Sequence, residues 1–255
     1  MVDIHSHFLY GLDDGARTIE DSLAMLDLAA SHGTTDIVAT PHFNEEFEYR
    51  PEVIASQIKD LQAQLGDRIR LHAGCDLHLT YTNVQAALTD PSRYSVNGKG
   101  WLLVEFSELL IFNSSDQIFA DLQGAGMAPI VTHPERNWLL RSKPERIERW
   151  VANGTFMQVT AQSLLAGFGS EAAKFSHMLM DRGLVHFIAS DAHDVRGRSP
   201  RLDQAFEYVQ KEYGEECAKA LFVDNPKSVI QGLRVDRSPV TSRRSRRKKW
   251  FQFWR

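Results

Sequence analysis

The chain has 255 residues, 43% hydrophobic and 24% charged, which suits one barrel-sized domain with an ample core. Its formal net charge of -4 gives no general basic field for nucleic acid, and no apolar run reaches membrane-spanning length. Two cysteines, Cys75 and Cys217, make no disulfide framework, and Met-Val-Asp-Ile-His is not a secretory leader, so the expected location is the cytoplasm.

Short apolar runs alternate with longer amphipathic ones. Residues 2–5 predict a first strand. Thr18-Ile19-Glu20-Asp21 has the form of a capping box with Asp in the acidic position, and the helix after it turns Leu23, Leu26 and Ala30 to one side before stopping at Gly33. Residues 35–40 predict strand two, ending in Pro41-His42. Pro51 opens a helix with Ile54, Ile58, Leu61 and Leu65 inward and Gly66 as its stop. Residues 69–75 predict strand three, followed by Asp76. The stretch 77–100 is weakly patterned, with a short helix over 82–88. Residues 101–104 predict strand four, ended by Glu105. A helix over 115–124 buries Ile118, Phe119 and Leu122. Strand five, 128–131, leads to His133-Pro134-Glu135-Arg136. A helix over 144–153 stops at Gly154, strand six covers 155–159, and a helix over 171–182 is closed by Gly183. Strand seven, 185–189, runs into Ser190-Asp191-Ala192-His193, and two or three helices fill 201 to about 232.

Seven strands, each followed by helical sequence, predict a parallel sheet covered on both faces. A closed or nearly closed barrel is the first expectation and an open doubly wound sheet the alternative. In a (β/α) barrel the carboxyl ends of the strands converge on one face, where active sites lie. Those ends carry His5 and His7, His42, Asp76, Glu105, His133, and Asp191 with His193; only strand six, ending in Thr160 and Gln162, lacks a histidine or acid. Taken singly, each has a bland role: His42 as a loop cap, Glu105 as the partner of an arginine, Asp76 as an N-cap. Together, imidazoles and carboxylates crowded at buried strand ends are most simply balanced by cations. They outnumber the ligands of one tetrahedral ion, so two or three ions are expected, and the mixed nitrogen and oxygen donors suit manganese, iron or zinc.

Clustered cations would hold a hydroxide near neutral pH as nucleophile. Arg136, Arg196 and Arg198 follow the ligands closely, and a guanidinium fork matches phosphate oxygens, so phosphate-ester hydrolysis is the favoured chemistry. Their alternative role is pairing with acids such as Glu135 and Asp194, the better reading for Arg196. Thiolate phosphatase chemistry is disfavoured. It needs a C-x5-R loop, and the sixth residue after Cys75 is Tyr81, that after Cys217 Val223.

Asp3-Ile4-His5-Ser6-His7, Gly11-Leu12-Asp13-Asp14-Gly15-Ala16, Ala39-Thr40-Pro41-His42, Val104-Glu105-Phe106, His133-Pro134-Glu135-Arg136 and Ser190-Asp191-Ala192-His193 occur in the order that resembles the polymerase-and-histidinol-phosphatase (PHP) superfamily. Within it the chain resembles, from residue 1 to about 232, the bacterial manganese-dependent protein-tyrosine phosphatases of capsule and exopolysaccharide operons, the CpsB/YwqE type. The resemblance implies a distorted seven-stranded (β/α) barrel of the PHP type and a trinuclear site, usually manganese. Its metal ligands fall on His5, His7, Asp14, His42, Asp76, Glu105, His133, Asp191 and His193, and its phosphate-binding arginines on Arg136 and Arg198. It implies phosphotyrosine substrates on a membrane-bound bacterial tyrosine kinase that regulates capsule or exopolysaccharide synthesis. In Gly74-Cys75-Asp76 the chain has Asp where the family usually has Glu, which puts metal spacing or affinity in question. A tyrosine phenol has a pKa of roughly 10, so phenoxide leaves with little acid assistance and no separate proton donor is required.

Residues 1–233 are therefore expected to form the metal-dependent domain, and 234–255 a linker and tail. Residues 243–255 carry seven basic residues, no acid, and Trp250, Phe251, Phe253 and Trp254. Peripheral contact with an anionic membrane surface would suit them; a disordered or folded-back tail, or RNA binding, are the alternatives. Two other functions compete with the leading one: a histidinol-phosphatase-like small-molecule phosphomonoesterase, and a non-catalytic kinase-binding module.

Overall fold

The computed structural model describes residues 1–236; the basic-aromatic tail and most of the linker before it lie outside the described residues. The barrel wall consists of short parallel strands. Val2–Ser6 (β1), Asp36–Ala39 (β2) and Arg70–Ala73 (β4) pair in the order β1-β2-β4. His42–Phe43 (β3), Asp76–His78 (β5), Trp101–Glu105 (β6), Ala128–Thr132 (β7), Phe156–Thr160 (β8) and Phe187–Ala189 (β9) pair in that sequence.

The predicted strands 35–40 and 69–75 are each shorter than expected and are each continued, after a break, by a further short strand. The first breaks at Thr40-Pro41, where proline has no N–H to give a ladder. The other breaks at Gly74-Cys75. A Cβ on Gly74 would lie 2.9 Å from Val38 Cγ1 and 3.3 Å from Thr40 Cγ2, so the bare residue lets the two breaks lie side by side. Hydrogen bonds from Gly74 N to Ala39 O (2.8 Å) and from Asp76 N to Pro41 O (3.1 Å) carry the pairing across them. Seven strand positions therefore follow one another around the wall. At the seam the ladder shrinks to one bridge, Ser6 with Ala192, flanked by Asp191 N to His5 O and His7 N to Ala192 O, each 2.8 Å. The parallel strands with their helices follow the expected distorted seven-stranded (β/α) barrel, built as two sheets that one bridge joins at the seam.

Local signals set the helices. In Ile19–Ser31 the capping box forms: Thr18 Oγ1 accepts from Asp21 N (3.2 Å) and Asp21 Oδ2 from Thr18 N (3.1 Å). Its buried face is Met25, Leu26 and Ala29, with Leu23 and Ala30 packed at the margin. Pro51–Leu65 starts on its proline, and Ser115–Gly124 has the predicted bounds. Most buried apolar side chains lie between wall and helices. A second cluster, with Val38, Leu103, Ile130, Phe156, Phe187 and Ala189, belongs to the other strand face. Leu103, Ile130, Phe156 and Ala189 stand two positions before Glu105, Thr132, Gln158 and Asp191. The period of two therefore seats the polar rim directly on an apolar plug. Among the described residues no helix is long and apolar enough to cross a membrane.

Candidate metal centre

All nine predicted ligands meet at the carboxyl ends of the strands. They form four overlapping groups: His7, Asp14, His42 and His193; His5, His7 and Asp76; His5, His133 and Asp191; His42, Asp76 and Glu105. Within each, the donor atoms lie within 4.8 Å of one another. Asp76 Oδ2 lies 3.5 Å from His5 Nε2 and 3.3 Å from His42 Nδ1, so the shorter acid still reaches two imidazoles. Asp191 Oδ1 lies 3.4 Å from His5 Nε2 and 3.3 Å from His7 Nε2. Glu105 spans His42 (3.4 Å) and His133 (3.5 Å). Asp14, 53% exposed, stands at the mouth, 3.2 Å from His193 and 3.4 Å from His42.

The rim is held by residues that do not themselves stand at strand ends. His7 Nδ1 pairs with Asp13 Oδ2 at 2.7 Å and His5 Nδ1 with Gln158 Oε1 at 2.9 Å. Those partners occupy Nδ1 of each ring and turn the two Nε2 atoms toward each other across 3.2 Å. Asp13 also accepts from His42 N (3.1 Å) and Gly15 N (2.9 Å). A Cβ on Gly15 would sit 2.6 Å from His7 Cβ, so glycine is what lets this loop close against the histidine. His133 and Asp191 turn at φ 32° and 51°, a backbone region that a non-glycine residue rarely adopts and that clusters at functional sites. Asp13 had a visible signal beside Asp14. Gln158 had a fainter one: a polar residue inside the buried strand Phe-Met-Gln-Val-Thr needs a partner.

The acids and imidazoles of the cluster shift one another's ionisation. Burial opposes ionisation of Asp76, yet His5 and His42 hold it well below the usual carboxylate range. Burial likewise opposes that of Asp191, and His5, His7, His133 and Arg136 override it. In return, against the downward pull of burial, Asp191 and Asp76 push His5 up to about 9, and Asp76 and Glu105 push His42 up to about 11. Burial holds His133 and His193 at about 4, helped by Arg136 and His7 respectively, which keeps both neutral as ligands must be. Asp76 Oδ2, Asp191 Oδ1, His42 Nδ1 and His193 Nε2 are buried and face their neighbours at ion-pair distances of 3.2–3.5 Å without hydrogen-bond geometry. Such atoms are costly to strand, so this donor set fits bound divalent cations.

Arg136 and Arg198 do not pair with Glu135 or Asp194. Both donate to Asp191 Oδ2, Arg198 from Nη2 at 2.6 Å, while Asp191 Oδ1 faces the histidines. One carboxylate thus joins the ligand cluster to the two arginines. Glu135 accepts from Thr160 N (2.9 Å), and Asp194 is occupied by the N–H groups of its own loop. Arg196 is exposed and, with Arg17, Asp14 and His193, lines a cavity of about 550 Å³ beside the cluster. Burial pushes the Cys75 thiol well up and that of Cys217 to about 11, so neither is a ready thiolate.

Residues 1–231 match the family model described as "Capsular polysaccharide synthesis, CpsB/CapC". The tyrosine-protein phosphatase YwqE of Bacillus subtilis is 33% identical over 258 aligned positions, covering 100% of both chains. The tyrosine-protein phosphatase CpsB of Streptococcus pneumoniae is 29% identical, covering 90% of this chain and 98% of its own. Among solved structures, one from the work on YwqE and CpsB, described as unique metal-dependent tyrosine phosphatases, superposes with a TM-score of 0.87 at 32% identity, covering 94% of this chain and 98% of that one. The phosphotriesterase homology protein of Escherichia coli, at 11% identity and a TM-score of 0.57, shares the fold. The chain belongs to the CpsB/CapC family of capsular polysaccharide synthesis.

Proposed function

We propose that this chain is a metal-dependent protein-tyrosine phosphatase. The observation that carries the reading is the Asp191 carboxylate, with one oxygen turned to the imidazoles of a nine-residue donor cluster and the other to two arginines. His5, His7, Asp14, His42, Asp76, Glu105, His133, Asp191 and His193 would hold two or three divalent ions, manganese first, with iron or zinc as alternatives. Bound ions would supply an acidified water and positive charge for the transferring phosphoryl group. Arg136 and Arg198 present guanidinium donors at the edge of the cluster and bind the phosphoryl oxygens. Gln158 and Asp13 orient His5 and His7. No side chain is assigned as a general acid, because a phenol with a pKa of roughly 10 leaves as the anion.

The substrate in this reading is phosphotyrosine on a protein, a membrane-bound bacterial tyrosine kinase that controls polysaccharide export, and the enzyme works in the cytoplasm. Residues 1–233 form the catalytic unit, and the basic-aromatic segment 243–255 brings it to the inner membrane face. The relatives' shared description as tyrosine phosphatases supports the first point, and the segment's composition the last. Turnover of a phosphotyrosine peptide and of histidinol phosphate, each with and without manganese, tests the activity. Preference for histidinol phosphate replaces the reading with a small-molecule phosphatase, and no turnover of either leaves a kinase-binding module. Liposome sedimentation with and without 243–255 tests the membrane contact; equal binding by both forms removes it.

A further inference from the structure

Strand β8 carries no residue of the donor cluster, yet the segment after it reaches the site. Arg136 and Arg198 aim at the same oxygen of Asp191. Two guanidinium groups brought that close repel one another, and one carboxylate oxygen cannot fix the orientation of both planes. Beneath them lies the half-buried ring of Phe168, its centroid 4.5 Å from the Arg136 guanidinium carbon and 6.0 Å from that of Arg198. Both distances are within the range at which the negative face of an aromatic ring attracts a cation.

The ring is presented by a stiff turn. Gly167 N donates to Gln162 O at 2.8 Å and Gly169 N to Ala166 O at 3.0 Å, and Ala166 is held at φ 63°. The turn is tied to the arginine loop as well. Glu135, immediately before Arg136, accepts from Thr160 N at the end of β8 at 2.9 Å. The loop bearing one arginine and the segment bearing the ring are therefore anchored on the same strand end.

We propose that Phe168 is a positioning residue: its ring holds Arg136 and Arg198 as a pair beside Asp191, ready to take the oxygens of one phosphate. The inference rests on reading the site as a phosphatase. It assigns a role to the segment that follows β8, and it makes phosphate affinity, not metal binding, depend on an aromatic ring.

The test is calorimetric titration of inorganic phosphate into the manganese-loaded full chain, with bound metal and melting temperature measured on each variant. Phe168→Leu keeps apolar bulk and removes the π face. It should weaken phosphate binding about 5- to 30-fold with the metal content unchanged. Phe168→Tyr should bind within about twofold of the parent, since the phenol ring keeps that face. In an Arg136→Ala, Arg198→Ala background the Leu substitution should have little further effect, because a residue acting through the arginines is silent once they are gone. Parent-like phosphate affinity in Phe168→Leu overturns the proposal, as does loss in Phe168→Tyr equal to that in Leu, or a Leu effect that persists without the arginines. A parent chain that binds phosphate but hydrolyses no phosphotyrosine defeats the proposed function and leaves the role of the ring standing. A parent that binds no phosphate defeats both.

Discussion

Histidine meets aspartate at both ends of the barrel, with opposite outcomes. At the amino ends of the strands, Asp36 accepts from Arg70 through Nε and Nη2, each at 2.7 Å, from His72 at 3.1 Å and from Thr35 at 2.8 Å. Every carboxylate oxygen has a donor, and a fixed cation of the chain balances the charge. At the carboxyl ends Asp76 and Asp191 are fully buried among imidazoles, and each keeps an oxygen with no hydrogen bond. Nearness of histidine to acid is common to both ends. What sets the carboxyl-end cluster apart is that several buried donor atoms of different residues, without hydrogen-bond geometry, converge within 4.8 Å of one another.

The comparison predicts unequal consequences. His5→Ala should lower turnover by more than about 100-fold, beyond the usual cost of losing an outer partner, and reduce bound metal per chain. Parent-like activity would place both ends on the same footing. Next, chelation should abolish activity and manganese restore it, with protons released on rebinding. The sign follows from the shifts: carboxylates hold protons on His5 up to about 9 and on His42 up to about 11 in the metal-free chain. An ion must displace them, so apparent metal affinity should rise with pH through the neutral range. Calorimetry in two buffers of different ionisation enthalpy measures this, and zero proton release contradicts it. Gln158→Leu removes the acceptor that orients His5 and should weaken metal binding about 10- to 100-fold while the fold survives. The smallest effect belongs to the other end. Asp36→Asn should leave activity per folded molecule unchanged and cost about 1 kcal/mol or less, since Arg70 is largely exposed. Burial pushes Asp36 up, but Arg70, His72 and Thr35 bring it to about 2 from 3.8. Its stabilisation is therefore full above about pH 4 and lost as pH falls toward 2. Acid unfolding monitored by circular dichroism should lose that slope in the variant.

The donor cluster was readable in advance because a parallel barrel leaves little choice: whatever stands at the carboxyl end of each strand arrives at one rim. His42, Glu105 and His193 needed only the strand assignments and that rule. Asp14 needed the resemblance, since it lies on a loop that no periodicity places. Gln158 lies outside that rule, because it stands inside strand six and not at its end, and its partner is 153 positions away. Phe168 lies outside it for a similar reason. An aromatic before a helix is ordinary until two arginines from other loops are found above it. The split of strand three at Gly74 depended on Val38 and Thr40 lying opposite it.

By itself, then, the amino-acid order determined the seven strand positions and their succession, the helix cap at Thr18 and helix start at Pro51, and which residues stand at the strand ends, because these follow from periodicity, capping and the parallel arrangement. Only the folded chain decided which atoms there lack hydrogen-bond geometry, that Asp191 divides its two oxygens between imidazoles and arginines, and that Phe168 underlies both guanidinium groups. Those are properties of distance and direction between segments far apart in the chain, set by packing to within a fraction of an ångström.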